Sequence, residues 1–510
     1  MMKRRLKILL IALAVYAALL VILVAVESAS PDATIHNLWD ALWFSLITMT
    51  TVGYGDLSPV TAGGRAVGII FALCSIGILT LLIGIGLSII SGHTIPSLRL
   101  RFGRRKTWYV FDSENEDTAV LAEELRKSTE RCLLVFPASS TRLVTGTEVV
   151  RLDANTDSLL RLRGGNKDGM FMFFMVGDPW KDYSEATEAA EKGIHSYCMA
   201  DVVADDIPEE LELFSRREAL SRCYWKEHPL KNEDGCVILI GCGQTGSALL
   251  ERALLTNVFE KGRTTEYHVF DDSADFETLH PELMEYFASK PSEEDSLLFH
   301  KGSWTSEAEL IRTADRIIIC CDEDADALET YETLKTWFPT GATVHVRLTA
   351  PVPGVPGFGE RKDVITREFV MRDAVNRQAR MMHAIYSENS PSPVEWKDLS
   401  YFLRQSNIAA ADHLIVKARY LLGDENMTEL REEDCRRAYE RFREVYADQA
   451  DILQEMEHRR WMRFHLMFNW KYDPVRNNSH RRHPLLLPYD ELSQAEQRKD
   501  SYAWEMLGRI

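Results

Sequence analysis

Several hallmarks of catalytic and metal-binding proteins are missing from this chain of 510 residues. Its nine cysteines are scattered, without the paired spacing that tetrahedral metal sites need. A Ser/His/Asp set, a Cys/His set and a phosphate-binding lysine loop are also absent from the sequence. Acidic clusters occur at 114–117, 205–206 and 322–324, but calcium needs about six to eight oxygens from a defined loop. We therefore expect reduced thiols and no enzymatic centre, and we interpret the acidic clusters as solvated charge at helix starts.

The chain also has an excess of negative over positive charge, with 59 lysines and arginines against 77 aspartates and glutamates. The formal net charge is −18 at pH 7, although basic residues cluster at 3–5 and again between 99 and 106. The remainder of the chain is therefore strongly acidic, and such a surface repels phosphate backbones. We predict that nucleic acid is not a partner.

Two long apolar runs lie near the amino terminus, at 6–26 and 66–91. At about 1.5 Å per residue, each is long enough to cross the roughly 30 Å hydrocarbon core of a lipid bilayer. Basic residues precede the first run and follow the second, so the positive-inside rule predicts that both termini are cytoplasmic. We predict an outer helix over 6–26, an inner helix over 66–91 and a multi-pass membrane protein.

The segment between the two runs carries the most specific motif of the chain. A short pore helix is predicted over 38–50, and it is followed by Thr51, Val52, Gly53, Tyr54, Gly55 and Asp56. A dehydrated K⁺ needs oxygen ligands, and backbone carbonyls supply them when equivalent loops face one axis. We predict that the carbonyls of the first four residues bind K⁺. Gly53 and Gly55 then provide the backbone angles that turn successive carbonyls inward.

On these motifs, residues 1–92 resemble the two-helix pore module of prokaryotic potassium channels. The resemblance implies a K⁺-selective channel in a prokaryotic inner membrane, assembled as a homotetramer. One filter segment per chain independently requires several chains around an axis.

Short apolar runs alternate with amphipathic stretches from Thr107 onward, which predicts parallel sheets covered by helices. We predict one Rossmann-like domain over 107–232 and a second over 233–350, connected to the pore by a linker over 93–106. In the second domain the strand 236–240 leads into a glycine turn and a helix. The predicted nucleotide-binding residues are Gly241, Gly243, Gln244, Gly246 and Asp271.

Each residue of this turn has a physical role in the prediction. Gly241 permits the tight turn, Gly243 lets a pyrophosphate approach the backbone, and Gly246 lets the helix pack on the strand. Asp271 ends the next strand, where an acidic residue takes a ribose hydroxyl. The alternative is a nucleotide-free Rossmann fold whose glycines serve only the turn. The first domain has the acidic segment 112–117 at the same place, which would repel phosphate.

Two Rossmann-like units directly after a pore resemble the tandem RCK (TrkA-N-like) domains of prokaryotic potassium channels. In that family the domains form a ring that binds cations, nucleotides or dinucleotides, and ring expansion opens the pore. The resemblance implies a small nucleotide-type ligand, with NAD(H), ATP or ADP, an ADP-ribose-like molecule and a cyclic nucleotide as candidates.

Clustered prolines and glycines predict a linker region over 351–394. The rest, 395–510, is helical in pattern and resembles the repeat domain of ryanodine receptors (RyR). Flat aromatic faces suit a base and arginine suits a phosphate, so we predict a second ligand site here. Its candidate residues are Glu457, His458, Trp461, Trp470, Tyr472, Arg476 and His483. The alternative is that these aromatics form the domain's core.

The expected fold is therefore an α-helical two-transmembrane potassium-channel pore module, two α/β Rossmann-like RCK domains and a mainly α-helical RyR-like domain. The expected function is a ligand-gated K⁺ channel. A membrane-anchored NAD(P)-dependent oxidoreductase or redox sensor is the alternative, and an effector in stress or antiviral defence is an alternative physiological role. The sequence leaves open which ligand acts, which site decides, and whether the ligand opens or closes the pore.

Overall fold

The computed structural model describes residues 2–73, 80, 83, 94–201, 205, 207–289, 294–388 and 392–510, with side chains of the first helix described from residue 14. The chain forms two compact units, Met1–Phe102 and Gly103–Ile510. Most of the predicted inner helix beyond residue 73 lies outside the described residues.

The first unit is helical. Its elements are α1 (Met2–Glu27), α2 (Leu38–Met49), α3 (residues 62–73) and α4 (Thr94–Phe102). Asn37 starts α2 by accepting hydrogen bonds from the backbone N–H groups of Trp39 and Asp40, which satisfies donors that the first turn leaves free. Leu23, Phe44 and Phe71 bring α1, α2 and α3 together in one apolar cluster. In the part of the chain that the structure describes, no helix has both the length and the apolarity for a membrane crossing.

The second unit begins with a parallel sheet of six strands. Strand order is β3-β2-β1-β4-β5-β6, the doubly wound arrangement of nucleotide-binding folds. The strands are β1 (Thr107–Phe111), β2 (Cys132–Phe136), β3 (Val149–Arg151), β4 (Met170–Phe174), β5 (His195–Met199) and β6 (Leu211–Phe214). The helices between and after them are α5 (Glu116–Ser128), α6 (Thr156–Arg163), α7 (Pro179–Glu191) and α8 (Arg216–Glu227).

A second parallel sheet repeats the same topology, with the order β12-β11-β10-β7-β8-β9. Its strands are β7 (Cys236–Ile240), β8 (Glu266–Phe270), β9 (Ser296–His300), β10 (Arg316–Ile319), β11 (Thr343–Arg347) and β12 (Gly357–Phe358). Its helices are α9 (Gln244–Thr256), α10 (Asp275–Leu279), α11 (Pro281–Ala288), α12 (Ala308–Thr313) and α13 (Asp324–Trp337). The predicted parallel sheets are thus confirmed.

The stretch 351–394, interpreted from sequence as a linker, contains regular structure. It holds β12 and the helices α14 (Arg361–Val364), α15 (Arg367–Arg372) and α16 (Arg377–Glu388). The prolines and glycines shape the turn into β12, whose backbone then pairs with β11 through Val346 and Gly357. Pairing to an existing sheet edge is a long-range contact, and the local pattern of prolines and glycines does not reveal it. The domain limits themselves stay predictions.

Helices dominate the carboxyl-terminal part. They are α17 (Tyr401–Leu422), α18 (Glu432–Met467), α19 (Gln494–Gln497) and α20 (Tyr502–Glu505), with a short pair of strands, β13 (Lys471–Tyr472) and β14 (Arg482–His483). The long helix α18 is kinked at Gln449, whose backbone angles are not helical. A single apolar core joins both sheets to α17 and α18.

Candidate functional site

The filter segment has an alternating backbone. Thr51, Gly53 and Gly55 have φ values of +58°, +58° and +74°, while the residues between them do not have positive φ. Alternating left-handed and ordinary conformations turn successive carbonyls toward the same side of the chain, which a carbonyl-lined ion path requires. Glycine makes this conformation inexpensive at two of the three positions. The left-handed Thr51 is a feature that sequence reasoning did not anticipate.

The pore-helix residue Trp43 ties α2 to the filter. Its indole N–H donates to the Asp56 carboxylate at 2.8 Å, and its ring lies parallel to that of Tyr54 at 6.3 Å between centroids. The backbone N–H groups of Val52 and Gly53 also donate to the carbonyl of Ile47, at 3.0 and 3.2 Å. The filter is therefore held from one side by α2.

The segment after the filter is fixed to the end of α1. The buried Glu27 carboxylate accepts from the backbone N–H groups of Val60 and Thr61, at 3.0 and 2.9 Å, and from the Thr61 hydroxyl at 2.6 Å. The other side of the filter is open in the single chain, where Val52 is 52% and Tyr54 69% exposed.

The second sheet carries the predicted glycine turn between β7 and α9. Gly241 has a φ of +90°, and a Cβ there would lie 2.7 Å from the carbonyl oxygen of Cys320. A Cβ at Gly246 would clash with the Gly241 carbonyl, so glycine permits the close helix–strand packing. The N–H groups of the first turn of α9, a helix of 13 residues, face the end of the strand without side-chain caps.

Two carboxylates stand beside this turn. Asp271 follows β8 and accepts from the Cys242 N–H at 3.4 Å and from the Ser273 hydroxyl at 2.5 Å. The exposed Asp322 follows β10, and its Oδ2 would lie 2.5 Å from a Cβ at Gly243. The structure thus brings together the predicted residues Gly241, Gly243, Gln244, Gly246 and Asp271. It also places Asp322 beside them, a residue that the sequence analysis interpreted only as part of a solvated acidic cluster.

A cavity of about 820 Å³ opens in front of the turn. One wall consists of the turn and α9, and a second consists of β6 and the start of α8. Sequence reasoning missed the third wall, which comes from the region before and within α17. Its residues include Arg380, Trp396, Tyr401 and Arg404. No local motif marks these residues, because packing over a long sequence separation brings them to the cavity.

The matching turn of the first sheet carries a buried acidic residue. There the buried Glu114 carboxylate accepts from Arg151 at 2.6 Å, from the Val144 N–H at 2.7 Å and from the Ser140 hydroxyl at 2.5 Å. Burial raises the pKa of this carboxyl, but its hydrogen bonds, above all with Arg151, outweigh that effect and hold the pKa below the ordinary range. The Glu114 carboxylate therefore bonds donors from the segment after β2 and from β3, while the Asn115 side chain caps the Thr118 N–H at the start of α5.

The predicted RyR-like site separates into two groups. Glu457 belongs to a buried ion network with Lys417 and Arg460, each at 2.6 Å. Burial opposes the charge of Glu457, yet the two cations lower its pKa well below the ordinary range. This carboxylate links Lys417 of α17 to Arg460 of α18, so its oxygens are already engaged.

Aromatic and histidine side chains form the other group. Trp461 lies 4.9 Å from His483 and 5.7 Å from His458 between ring centroids, and the buried Trp470 packs near them. The His458 Nε2 lies 2.8 Å from the Leu487 carbonyl oxygen. Tyr472 and Arg476, by contrast, are exposed. Trp461 and Trp470 thus pack in one small apolar cluster, and both the ligand site and the core interpretation stay predictions.

Comparison with known families accounts for the two ends of the chain. Residues 8–91 match the family model described as an ion channel, and residues 441–508 match the family model of the RyR domain. The chain carries an ion channel domain and a RyR domain. The kink in α18 at Gln449 therefore falls within the RyR domain.

Two potassium channels are among the curated relatives that match short segments of the chain. A voltage-gated potassium channel of Aeropyrum pernix is 49% identical over 59 residues, which is 12% of this chain and 20% of the relative. The human potassium voltage-gated channel subfamily A member 4 is 46% identical over 56 residues, which is 11% of this chain and 8% of the relative. The chain thus spans a fifth or less of the length of these relatives.

Two solved structures have weak overall similarity to the chain. GsuK bound to ADP is 15% identical, with a TM-score of 0.39, over 71% of this chain and 96% of that chain. The GsuK channel bound to NAD is 11% identical, with a TM-score of 0.38, over 76% of this chain and 86% of that chain.

In the described part of the present chain, no group of three or more His, Cys, Asp or Glu side chains could hold a metal ion.

Proposed function

We propose that the protein is a K⁺-selective channel of four identical chains in a prokaryotic inner membrane, with both termini cytoplasmic. The observation that carries the proposal is the alternating left-handed backbone of Thr51, Gly53 and Gly55, within a segment that matches the ion channel family. Carbonyls that face one side of a single chain can surround an ion only if further copies supply the remaining ligands. The exposed filter face is consistent with such copies.

We further propose that both sheets are RCK-type domains and that a nucleotide-type ligand at the glycine turn gates the pore through residues 93–106. Gly241 and Gly246 support this, because a Cβ at either position would collide with the backbone. To move a pore from mostly shut to mostly open, a ligand must prefer the open state by about 5.5 kcal/mol in total. Four sites acting together need about 1.4 kcal/mol each, on the same arithmetic.

The RyR-like ligand site remains a second candidate for the same gating role. Tyr472 and Arg476, which are exposed, and the half-buried Trp461 would be its accessible members, whereas His483 is buried next to Trp461. Trp470 is buried and Glu457 is paired with Lys417. These two residues would therefore hold the domain together rather than contact the ligand.

The test is K⁺ flux through the purified full chain in liposomes, with ATP, ADP, NAD⁺, NADH, ADP-ribose and cyclic nucleotides added one at a time. We expect K⁺ flux that excludes Na⁺ and that responds to at least one nucleotide. Gly241→Asp adds a Cβ that collides with the Cys320 carbonyl and a carboxylate beside the helix terminus, so it should remove the response while leaving K⁺ selectivity intact. A response that persists in Gly241→Asp would move the deciding site to the RyR domain.

A glycine turn followed by Asp271 also suits a membrane-anchored NAD(P)-dependent oxidoreductase or redox sensor. Steady NAD(P)H consumption by the same purified protein distinguishes this alternative. Turnover without K⁺ flux would replace the channel proposal.

A further inference from the structure

The helix α4 presents apolar side chains on its outer face. Ile95 is 40%, Leu98 44% and Phe102 88% exposed. At about 100° of rotation per residue, these three side chains form one stripe along the helix, roughly 60° wide. Leu100 points in the opposite direction on the same geometry, and it is fully buried. An exposed apolar stripe of this kind indicates a contact with another apolar surface.

Arginines border the stripe on both sides. On the same helical geometry, Arg99 lies about 40° beyond Ile95, and Arg101 lies about 60° beyond Leu98 at the other edge. Both arginines are exposed. Long arginine side chains in flanking positions can extend to charged groups while the stripe between them contacts an apolar phase. This pattern is typical of a helix that lies in the interface of an anionic bilayer.

The sequence around α4 is free of negative charge. No aspartate or glutamate occurs between Asp56 and Asp112, although the chain contains 77 of them. Three further basic residues, 104–106, follow α4 directly and are exposed. One of them, Arg104, donates its Nε–H to the carbonyl oxygen of Leu162 at 2.7 Å. The concentration of positive charge in a chain that is acidic overall favours a negatively charged partner at this place.

Chain length indicates which partner this is. The predicted inner helix ends at residue 91, and α4 begins at Thr94. Three residues reach at most about 11 Å, even when they are fully extended. The headgroup layer on each side of the hydrocarbon core is roughly 5–8 Å thick. A helix that starts so close to the end of a span lies at the membrane surface, and its covalent link to the span raises its effective concentration there.

We propose that α4 lies in the cytoplasmic surface of the bilayer and binds anionic lipid. Ile95, Leu98 and Phe102 contact the lipid chains below the headgroups, and the flanking arginines contact lipid phosphates. The inference rests on the membrane location proposed above and goes beyond it, because it assigns a lipid partner to the segment 93–106. This segment would then be held at the membrane surface while it transmits movement to the pore.

Quenching of tryptophan fluorescence by brominated lipids tests this position, with the full chain in liposomes of phosphatidylcholine and phosphatidylglycerol. Phe102→Trp introduces a reporter on the stripe, and its emission is the difference from the wild type, which has 11 tryptophans. We expect brominated lipids to quench most of this emission. The matched control is Leu143→Trp, because Leu143 is 52% exposed but lies between β2 and β3 in the other compact unit. Its emission should be unchanged.

The preference for anionic lipid is tested by brominating one lipid at a time. Brominated phosphatidylglycerol should quench Phe102→Trp more strongly than brominated phosphatidylcholine. Arg101→Gln in this background should reduce the preference about fivefold, since a basic residue near an anionic surface contributes about 1 kcal/mol. Arg101→Lys retains the charge and should keep the preference. Arg312→Gln removes an arginine that is 55% exposed in the other unit, and it should also leave the preference unchanged.

Flotation of the same liposomes separates this inference from the membrane proposal. If the protein floats with the liposomes but brominated lipids leave the Phe102→Trp emission unchanged, the stripe faces water or another copy of the chain, and the inference is overturned while the membrane location stands. Equal quenching by the two lipids, or an unchanged preference in Arg101→Gln, would overturn the binding of anionic lipid. Failure to float would remove the membrane location and this inference together.

Discussion

Replacing Gly53 by alanine tests the filter through the backbone alone. Among the described residues, no heavy atom lies within 4 Å of a Cβ built at Gly53, so the substitution causes no collision within one chain. Its φ of +58° is the left-handed conformation, which costs a residue with a side chain about 1–2 kcal/mol. Summed over the four chains proposed here, the penalty reaches about 4–8 kcal/mol per filter. At about 1.4 kcal/mol per factor of ten, the conducting geometry becomes roughly 10³ to 10⁶ times less populated.

The assay is K⁺ flux in liposomes containing equal amounts of wild-type and variant protein. Gly53→Ala should abolish flux, whereas the matched variant Gly423→Ala should not. Gly423 has a φ of +65° and, within the described residues, equally open surroundings, but it ends α17 and lies far along the sequence from the filter. Normal K⁺ flux through Gly53→Ala would refute the reasoning, and loss of flux in both variants would show that general destabilisation is responsible.

Two further predictions concern the stability of the unit Gly103–Ile510, measured as thermal unfolding of the solubilised full chain. Lys417→Met leaves the buried Glu457 without one of its cations. It should lower the free energy of unfolding by up to about 3–5 kcal/mol. Lys499→Met breaks a surface ion pair with Glu496 and should lower the free energy of unfolding by at most about 1 kcal/mol. Equal unfolding midpoints for the two variants would contradict the larger effect expected at the buried pair. Burial lowers the pKa of His483 to about 4 and of His465 to about 3, from an ordinary value of 6.5. The unfolded chain therefore takes up protons first, and stability should fall as the pH drops from about 6.5 to about 4. His483→Gln should make this loss shallower, and an unchanged pH dependence would argue against a neutral buried His483.

The sequence was a good guide wherever a short segment decides its own conformation. Strand, turn and helix around Gly241 follow from the glycine spacing and the apolar run before it, and β7 and α9 lie where that prediction puts them. The segment 351–394 was harder to predict, because β12 forms only against the edge of β11. Glu457 illustrates the same limit, since its role depends on Lys417 in a different helix.

The sequence by itself determined the local chemistry of the protein. Alternating glycines in the filter and spaced glycines at the turn follow from what each backbone position can adopt, and neighbouring residues are enough to read them. Only the tertiary structure decided what surrounds these segments. The cavity wall of Tyr401 and Trp396, the internal anion at Glu114 and the buried network at Glu457 each join residues from separate helices and strands. Such contacts depend on packing between distant segments, which residue spacing does not encode.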